Sequence, residues 1–216
     1  MTYTVYGAAG SGSVPVEAAL TLIGAPYERV KAVTWEGEAE RDKVAAVNPM
    51  RQIPAVVAPD GEVMTESAAI LIWLAERHPE AQLAPRAGDA KRGQFLRWMT
   101  FVPASIYSMY WVRDMPSRLA GDEPEAQQTI LNRTAERIAD CWAAMESQIE
   151  PGRFLLGDDV SVLDLYVAVA SRWTPHRKRF HEVAPKMGAV MRRVDALPRL
   201  ADFWPKRFAF EGNYVG

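Results

Sequence analysis

The 216-residue chain sets 25 Lys and Arg against 27 Asp and Glu, for a formal charge of −2, and is 49% apolar and 24% charged. That balance describes a globular protein with one or two cores, and it offers phosphate backbones no broad attraction, so nucleic acid is not an expected partner. The longest strongly apolar run, 68–75, falls far short of the roughly 20 residues that span a bilayer. The first residues lack the basic-then-apolar grammar of a secretory signal, so no membrane association is expected and a cytoplasmic location is.

The first 75 or so residues alternate extended and helical runs. Residues 3–6 read as a strand, 15–23 as a helix ended by Gly24, and 27–33 as a second strand with alternating side chains. Residues 53–57 and 62–64 read as two strands around the turn Pro59-Asp60-Gly61, and 67–77 as a closing helix. Beyond Pro79 the strand signals stop, and 3.6-residue periodicity takes over at 90–111, 125–149, 163–173 and 184–194. Between the halves, 78–89 has the Pro, Gly and polar composition of a linker. The expected organisation is a domain over 1–78, a linker over 79–89 and an all-helical domain over 90–216.

Cys141 is the sole cysteine, which excludes an intrachain disulfide and a thiolate metal cluster. His78, His176 and His181 show no ligand spacing, so no metal is expected. Cys141 lies inside a helical stretch and reads as a buried structural thiol.

Two motifs carry chemistry. In Asn48-Pro49-Met50-Arg51-Gln52-Ile53-Pro54-Ala55-Val56-Val57 a proline stands at a strand entrance. With a cis bond, it turns the Ile53 backbone outward, where an extended peptide can pair with it; the trans alternative is an ordinary edge-strand proline. In Thr65-Glu66-Ser67-Ala68-Ala69-Ile70 a carboxylate and a hydroxyl precede an apolar helix. Ser67 alone is most simply an N-cap, yet a helix N-terminus also receives a carboxylate, and Glu66 beside it suits an ammonium group.

Together, Asn-Pro-x-x-Gln-Ile-Pro-Ala-Val and Glu-Ser-x-Ala-Ile, in this order and spacing, resemble the glutathione-binding core of the cytosolic glutathione transferases. The likeness is to bacterial members with a serine-type loop, close to the zeta, theta and beta types. The resemblance implies an α/β thioredoxin-like N-terminal domain plus an all-α C-terminal domain, a homodimer, and glutathione as co-substrate. It makes Pro54 the cis-proline, Ile53 the backbone partner of the cysteinyl part, and Glu66 with Ser67 the anchors of the γ-glutamyl end. Gln52 or Arg51 is implied near the glycyl carboxylate. Gly157 to Asp164 resembles the segment that starts the family's buried helix, and Ser161 with Asp164 independently has capping-box spacing.

A thiol of pKa about 8.5 is mostly protonated at neutral pH, and lowering it by two units takes roughly 2.7 kcal/mol of preference for the anion. A hydroxyl, backbone amides and a helix N-terminus can supply that. Ser11, Ser13 and Tyr6 are the candidates. Counted back from Gly24, Ser11 falls where serine-using relatives of the zeta type carry their catalytic serine, and it leads. Gly12 occupies the place where some relatives have cysteine, which argues against cysteine-based redox chemistry; Ser13 also reads as a helix N-cap. An apolar electrophile is expected against Tyr107, Tyr110 and Trp111, with Pro103 kinking or breaking the helix to help open a groove. Trp98 and Phe101 read as core, and Arg113 as a solvated arginine or an anion contact. The expected activity is conjugation of glutathione to an apolar electrophile. The alternatives are a glutathione-dependent isomerase, disfavoured because the loop lacks a Ser-Ser-Cys run, and a non-catalytic glutathione-binding member.

Overall fold

The structure, a computed structural model, describes residues 2–173 and 177–208. His176 and the end of the expected helical domain lie outside them.

The first half is a four-stranded sheet in the order β2-β1-β3-β4, formed by β1 (Tyr3–Gly7), β2 (Tyr27–Lys31), β3 (Ala55–Val57) and β4 (Val63–Thr65). β1 runs parallel to β2 and antiparallel to β3, which is antiparallel to β4. Parallel pairing needs a crossover, and α1 (Val14–Ile23) supplies it. Pro15 occupies the first turn of α1, where its missing N–H costs nothing, and Gly24 ends it at φ 83 with its N–H on the Leu20 carbonyl. Side-chain alternation along β1 puts Tyr3 and Val5 against α1 and α3 (Ser67–Arg77), while Tyr6 packs with Ala32, Val44 and Ala55 on the opposite face.

Two of the strands are shorter than the sequence suggests. β2 stops at Lys31 rather than 33, and β3 starts at Ala55 rather than 53, because Pro54 has no N–H to give a ladder. Helix α2 (Glu38–Ala45) was absent from the sequence reading. Only Val44 is buried in it, so there is no apolar stripe to read. It is fixed instead by polar contacts, the Val33 N–H donating to Glu40 at 2.8 Å and Arg41 Nε to the Thr34 carbonyl at 3.0 Å.

Apart from an isolated bridge between Phe154 and Gly157, the regular elements described in the second half are helices: α4 (Arg92–Phe101), α5 (Ser108–Arg113), α6 (Ser117–Ala120), α7 (Pro124–Glu146), α8 (Val162–Ala170), α9 (Lys178–Val183), α10 (Pro185–Asp195) and α11 (Trp204–Arg207). Of the kink or break expected at Pro103, the chain shows a widened π-helical segment, Val102–Tyr107, that carries α4 into α5 without interruption. Proline has no N–H for the ordinary helical ladder, and a π turn absorbs the defect without ending the helix. Every residue of α8 is buried, as suits a helix apolar on all sides. Its start is fixed as expected: the Ser161 N–H and hydroxyl each donate to one Asp164 oxygen at 2.8 Å, and the Leu155 N–H to the other at 2.8 Å.

One continuous core joins Val5, Val16 and Leu71 of the first half to Trp98, Trp142 and Leu165 of the second. α1 and α3 both pack on α8, so the helical half bears directly on the helices that flank the sheet. Cys141 is buried and its thiol faces the Ser105 carbonyl at 3.5 Å. It is a packing residue.

Candidate active site

Register alone assembles the site. Tyr6 pairs with Ala55 and Ala55 with Thr65, so three segments meet at one end of the sheet. These are loop 8–13 leaving β1, Ile53-Pro54 entering β3, and Glu66-Ser67 leaving β4. The Ile53-Pro54 bond is cis, and Ile53 precedes the ladder, which starts at Ala55. Glu66 is exposed at φ 64 and ψ 107, a backbone region that costs a non-glycine residue about 1–3 kcal/mol and clusters at functional positions.

Two of the three candidate hydroxyls lie together. Ser11, 9% exposed, donates to the Ala8 carbonyl at 2.8 Å while its oxygen receives the Ser13 N–H at 3.1 Å. The Ser11 and Ser13 oxygens are 3.0 Å apart. Ser13 is 0% exposed and makes no side-chain cap for α1; its hydroxyl donates to Glu17 Oε1 at 3.2 Å instead. It therefore lies beneath Ser11, closed off from solvent. Gly7 is required there, since a β-carbon on it would lie 2.1 Å from Ser13 Oγ. Tyr6 is on the α2 face of the sheet, apart from this pair.

Glu17, itself 0% exposed, is paired through Oε2 with Arg207 Nε at 2.6 Å. Burial pushes its carboxyl above the ordinary value, with Arg207, Arg29 and the Ser13 hydrogen bond pulling the other way. The end of the described chain grips the loop a second time. The Gly10 N–H donates to the Arg207 carbonyl at 2.9 Å, and the Gly10 carbonyl receives Trp173 Nε1 at 2.7 Å.

Trp173 anchors the aromatic wall. Tyr107 lies 4.4 Å from it, centroid to centroid, and Tyr110 5.3 Å. The Gly12 N–H faces the Tyr107 oxygen, and burial, Asp114 and Glu66 push the phenol up to about 12, so it stays a neutral donor. Tyr110 is buried behind it, whereas Trp111 is 48% exposed under the Arg118 guanidinium, away from the Tyr107–Trp173 contact. Arg113 is part-buried, and one of its guanidinium nitrogens donates to the Leu131 carbonyl at 2.7 Å.

Ser67 is not a side-chain cap either. Its hydroxyl meets the Tyr166 hydroxyl of α8 at 2.8 Å, and burial raises the Tyr166 pKa above its usual value. Arg51 is engaged by Glu38 at 2.7 Å and Asp42 at 2.5 Å, which leaves exposed Gln52 as the polar side chain beside Ile53. Among the described residues no group of three His, Cys, Asp or Glu is placed to hold a metal, and no helix is long and apolar enough to cross a membrane.

Tyr166, Trp173, Glu17 and Arg207 escaped sequence reading. Glu17 carried a signal, a carboxylate inside the otherwise apolar run Val14 to Leu20. The others gave none, since their partners are about 99 to 190 residues away.

A thioredoxin-like sheet carrying a cis-proline, with a helical half closing over it, defines a glutathione transferase fold. Comparison with known proteins agrees. The glutathione S-transferase N-terminal domain matches residues 11–77 and the C-terminal domain residues 128–203. The uncharacterized GST-like protein YncG of Escherichia coli K12 is 31% identical over 199 residues, 92% of this chain and 95% of its own length. Maleylacetoacetate isomerase of Dictyostelium discoideum is 28% identical over 167 residues, 76% and 74% of the two chains. A glutathione transferase homologue from Sulfitobacter, solved with bound glutathione, superposes with a TM-score of 0.83 at 25% identity, covering 95% of this chain and 98% of that one. The chain belongs to the glutathione S-transferase family.

Proposed function

We propose that this protein binds glutathione along the sheet edge, stabilises its thiolate at Ser11 and conjugates it to an apolar electrophile. The observation that carries this reading is the convergence of loop 8–13, Ile53-Pro54 and Glu66-Ser67 on adjacent strands. Two strand spacings of about 4.8 Å separate the outer segments, so a span of ~10 Å suits an extended tripeptide of ~3.5 Å per residue. The Ile53 backbone pairs with the cysteinyl residue. Glu66 takes the γ-glutamyl ammonium, the Ser67 hydroxyl and the α3 N-terminus take its carboxylate, and Gln52 meets the glycyl carboxylate.

Ser11 is suited to thiolate stabilisation because its oxygen accepts the Ser13 N–H, which polarises the hydroxyl as a donor. On ligand entry the hydroxyl gives up the Ala8 carbonyl and serves as a donor to the thiolate. The electrophile lies against Tyr107, with Tyr110 and Trp173 behind. The protein works as a cytoplasmic homodimer, which sedimentation of the purified chain tests.

Similarity to a maleylacetoacetate isomerase supports a second reading, in which the same thiolate adds to and leaves a double bond. Glutathione-dependent turnover of an activated chloroarene and of a cis-configured unsaturated diacid, assayed side by side, separates the two. Thiolate formation with turnover of neither substrate class overturns both in favour of a non-catalytic member.

A further inference from the structure

Beneath the loop Ser11 Oγ, Ser13 Oγ at 3.0 Å, Glu17 Oε1 at a further 3.2 Å and Arg207 on the far carboxylate oxygen at 2.6 Å follow one another, and the Ala8 carbonyl lies beside both hydroxyls, 2.8 Å from Ser11 Oγ and 3.3 Å from Ser13 Oγ. Ser13 and Glu17 are both 0% exposed. A carboxylate in an apolar helix is expensive to bury, and one ion pair seldom offsets that cost. Packing does not require it.

We propose that Glu17 is the resting place of the glutathione thiol proton, delivered through Ser11 and Ser13. The inference rests on the placement of the thiol at Ser11 given above.

The transfer balances without any other reactant. The Ser11 hydrogen first turns from the Ala8 carbonyl to Ser13 Oγ; the S–H bond then breaks as the thiol hydrogen passes to Ser11 Oγ, Ser11 passes its own hydrogen to Ser13 Oγ, and Ser13 passes its own to Glu17 Oε1, where an O–H bond forms. Net charge is unchanged. The chain of hydroxyls ends with the Ser11 O–H directed at the thiolate, so proton removal and anion stabilisation are one event. Negative charge leaves a fully buried carboxylate for the bound sulfur, which relieves the desolvation that holds the Glu17 carboxyl above its ordinary value. The neutral carboxyl still accepts Arg207 Nε at Oε2, and the guanidinium keeps its place over the Phe203 ring at 5.2 Å.

The surroundings of Glu17 leave it this one outlet. Arg207, Arg29 and Ser13 are the groups that act on it. Of the helices packed on α1, α3 has Glu76 and Arg77, which are paired with Arg92 and with Asp60 and Glu62. α8 has Asp164, which is held by Leu155 and Ser161. Arg199, from the turn Pro198–Leu200, binds the Thr21 and Leu22 carbonyls at the other end of α1.

The test counts protons. Glutathione is titrated into the full chain by calorimetry at about pH 7 in buffers of different ionisation enthalpy, while ultraviolet absorbance reports thiolate. The expected result is thiolate formation with far less than one proton released per thiolate. In Glu17→Gln, bound glutathione stays mostly thiol, its thiolate fraction falling about tenfold or more, and whatever thiolate forms releases a full proton. Ser13→Ala keeps the Glu17–Arg207 pair and gives the same result, so it decides the matter should Glu17→Gln fail to fold. One proton released per thiolate by the unmodified protein, or a Ser13→Ala variant that still retains the proton, overturns the relay and leaves the transferase reading intact. Failure of the unmodified protein to bind glutathione overturns both.

Discussion

The Ser67 hydroxyl is joined to the Tyr166 hydroxyl at 2.8 Å, across 99 residues of sequence. A group at the sheet edge proposed to hold glutathione is thereby oriented by the buried helix of the other half. In Tyr166→Phe the buried Ser67 oxygen loses that partner, at a cost of about 1–3 kcal/mol in urea unfolding. Ser67→Ala costs less in stability but weakens glutathione binding. A double-mutant cycle showing coupling well below about 0.5 kcal/mol would remove the orienting role.

Ser11→Ala removes the hydroxyl while leaving Glu66, Ser67 and the Ile53 backbone in place. Glutathione affinity is expected to change by only a few fold. Loss of one preorganised donor to the thiolate lowers kcat by about 10²-fold or more and raises the bound thiol's pKa. A variant with unchanged kcat and thiol pKa shifts the role to another donor, of which the neutral Tyr107 phenol is the nearest in kind.

Asp164 provides a pH signature of the fold. Burial lifts its carboxyl from 3.8 to about 6, against the Leu155 and Ser161 hydrogen bonds that favour the anion. The folded state thus holds this proton more tightly than the unfolded chain does. The contribution is full below about pH 4 and declines as pH rises through about 6. Comparing urea unfolding of the parent and Asp164→Asn across that range isolates the group from the surface carboxylates. The parent should lose stability relative to the variant as pH rises through the window, even though the variant is less stable throughout by about 1–3 kcal/mol, because the amide cannot accept all three donors. A constant difference across the window contradicts the assignment.

Gly12→Ala places a β-carbon 2.4 Å from the Tyr107 oxygen. The ring must then move against Trp173, costing about 1–3 kcal/mol of overpacking and disturbing the loop that carries Ser11. Adding Tyr107→Phe, which removes the obstructing oxygen, should restore most of the stability and glutathione binding. If the double variant is no better than Gly12→Ala alone, the penalty arises in the backbone and not from the tyrosine.

The sequence made the architecture legible because its signals are local. Gly24 ends α1, Pro59-Asp60-Gly61 turns one strand into the next, and Ser161 with Asp164 starts α8. The exception was α2, whose residues are fixed by hydrogen bonds to the 33–34 backbone and by Arg51, none of which leaves a periodic trace. The sheet-edge part of the site was legible for the same reason, since Pro54 and Glu66-Ser67 lie in compact motifs. What the helical half adds was not. Tyr166, Trp173 and Arg207 reach the site by tertiary packing, and Tyr107 is aimed by a π turn that the sequence shows only as a misplaced proline. Ser13 and Ser67 both read as helix caps, yet each hydroxyl found a stronger partner in a buried side chain.

The contact between Gly12 and Tyr107 also constrains the evolutionary routes open to this chain. A cysteine at position 12 would bring its β-carbon within 2.4 Å of the phenolic oxygen, so a thiol at that place in the loop requires the ring at 107 to move or shrink. A smaller side chain there gives up the hydroxyl that faces the Gly12 N–H before any thiol is gained. The residue types open to the loop are thus limited by a tyrosine on the opposite half of the protein, about 95 residues further along the chain.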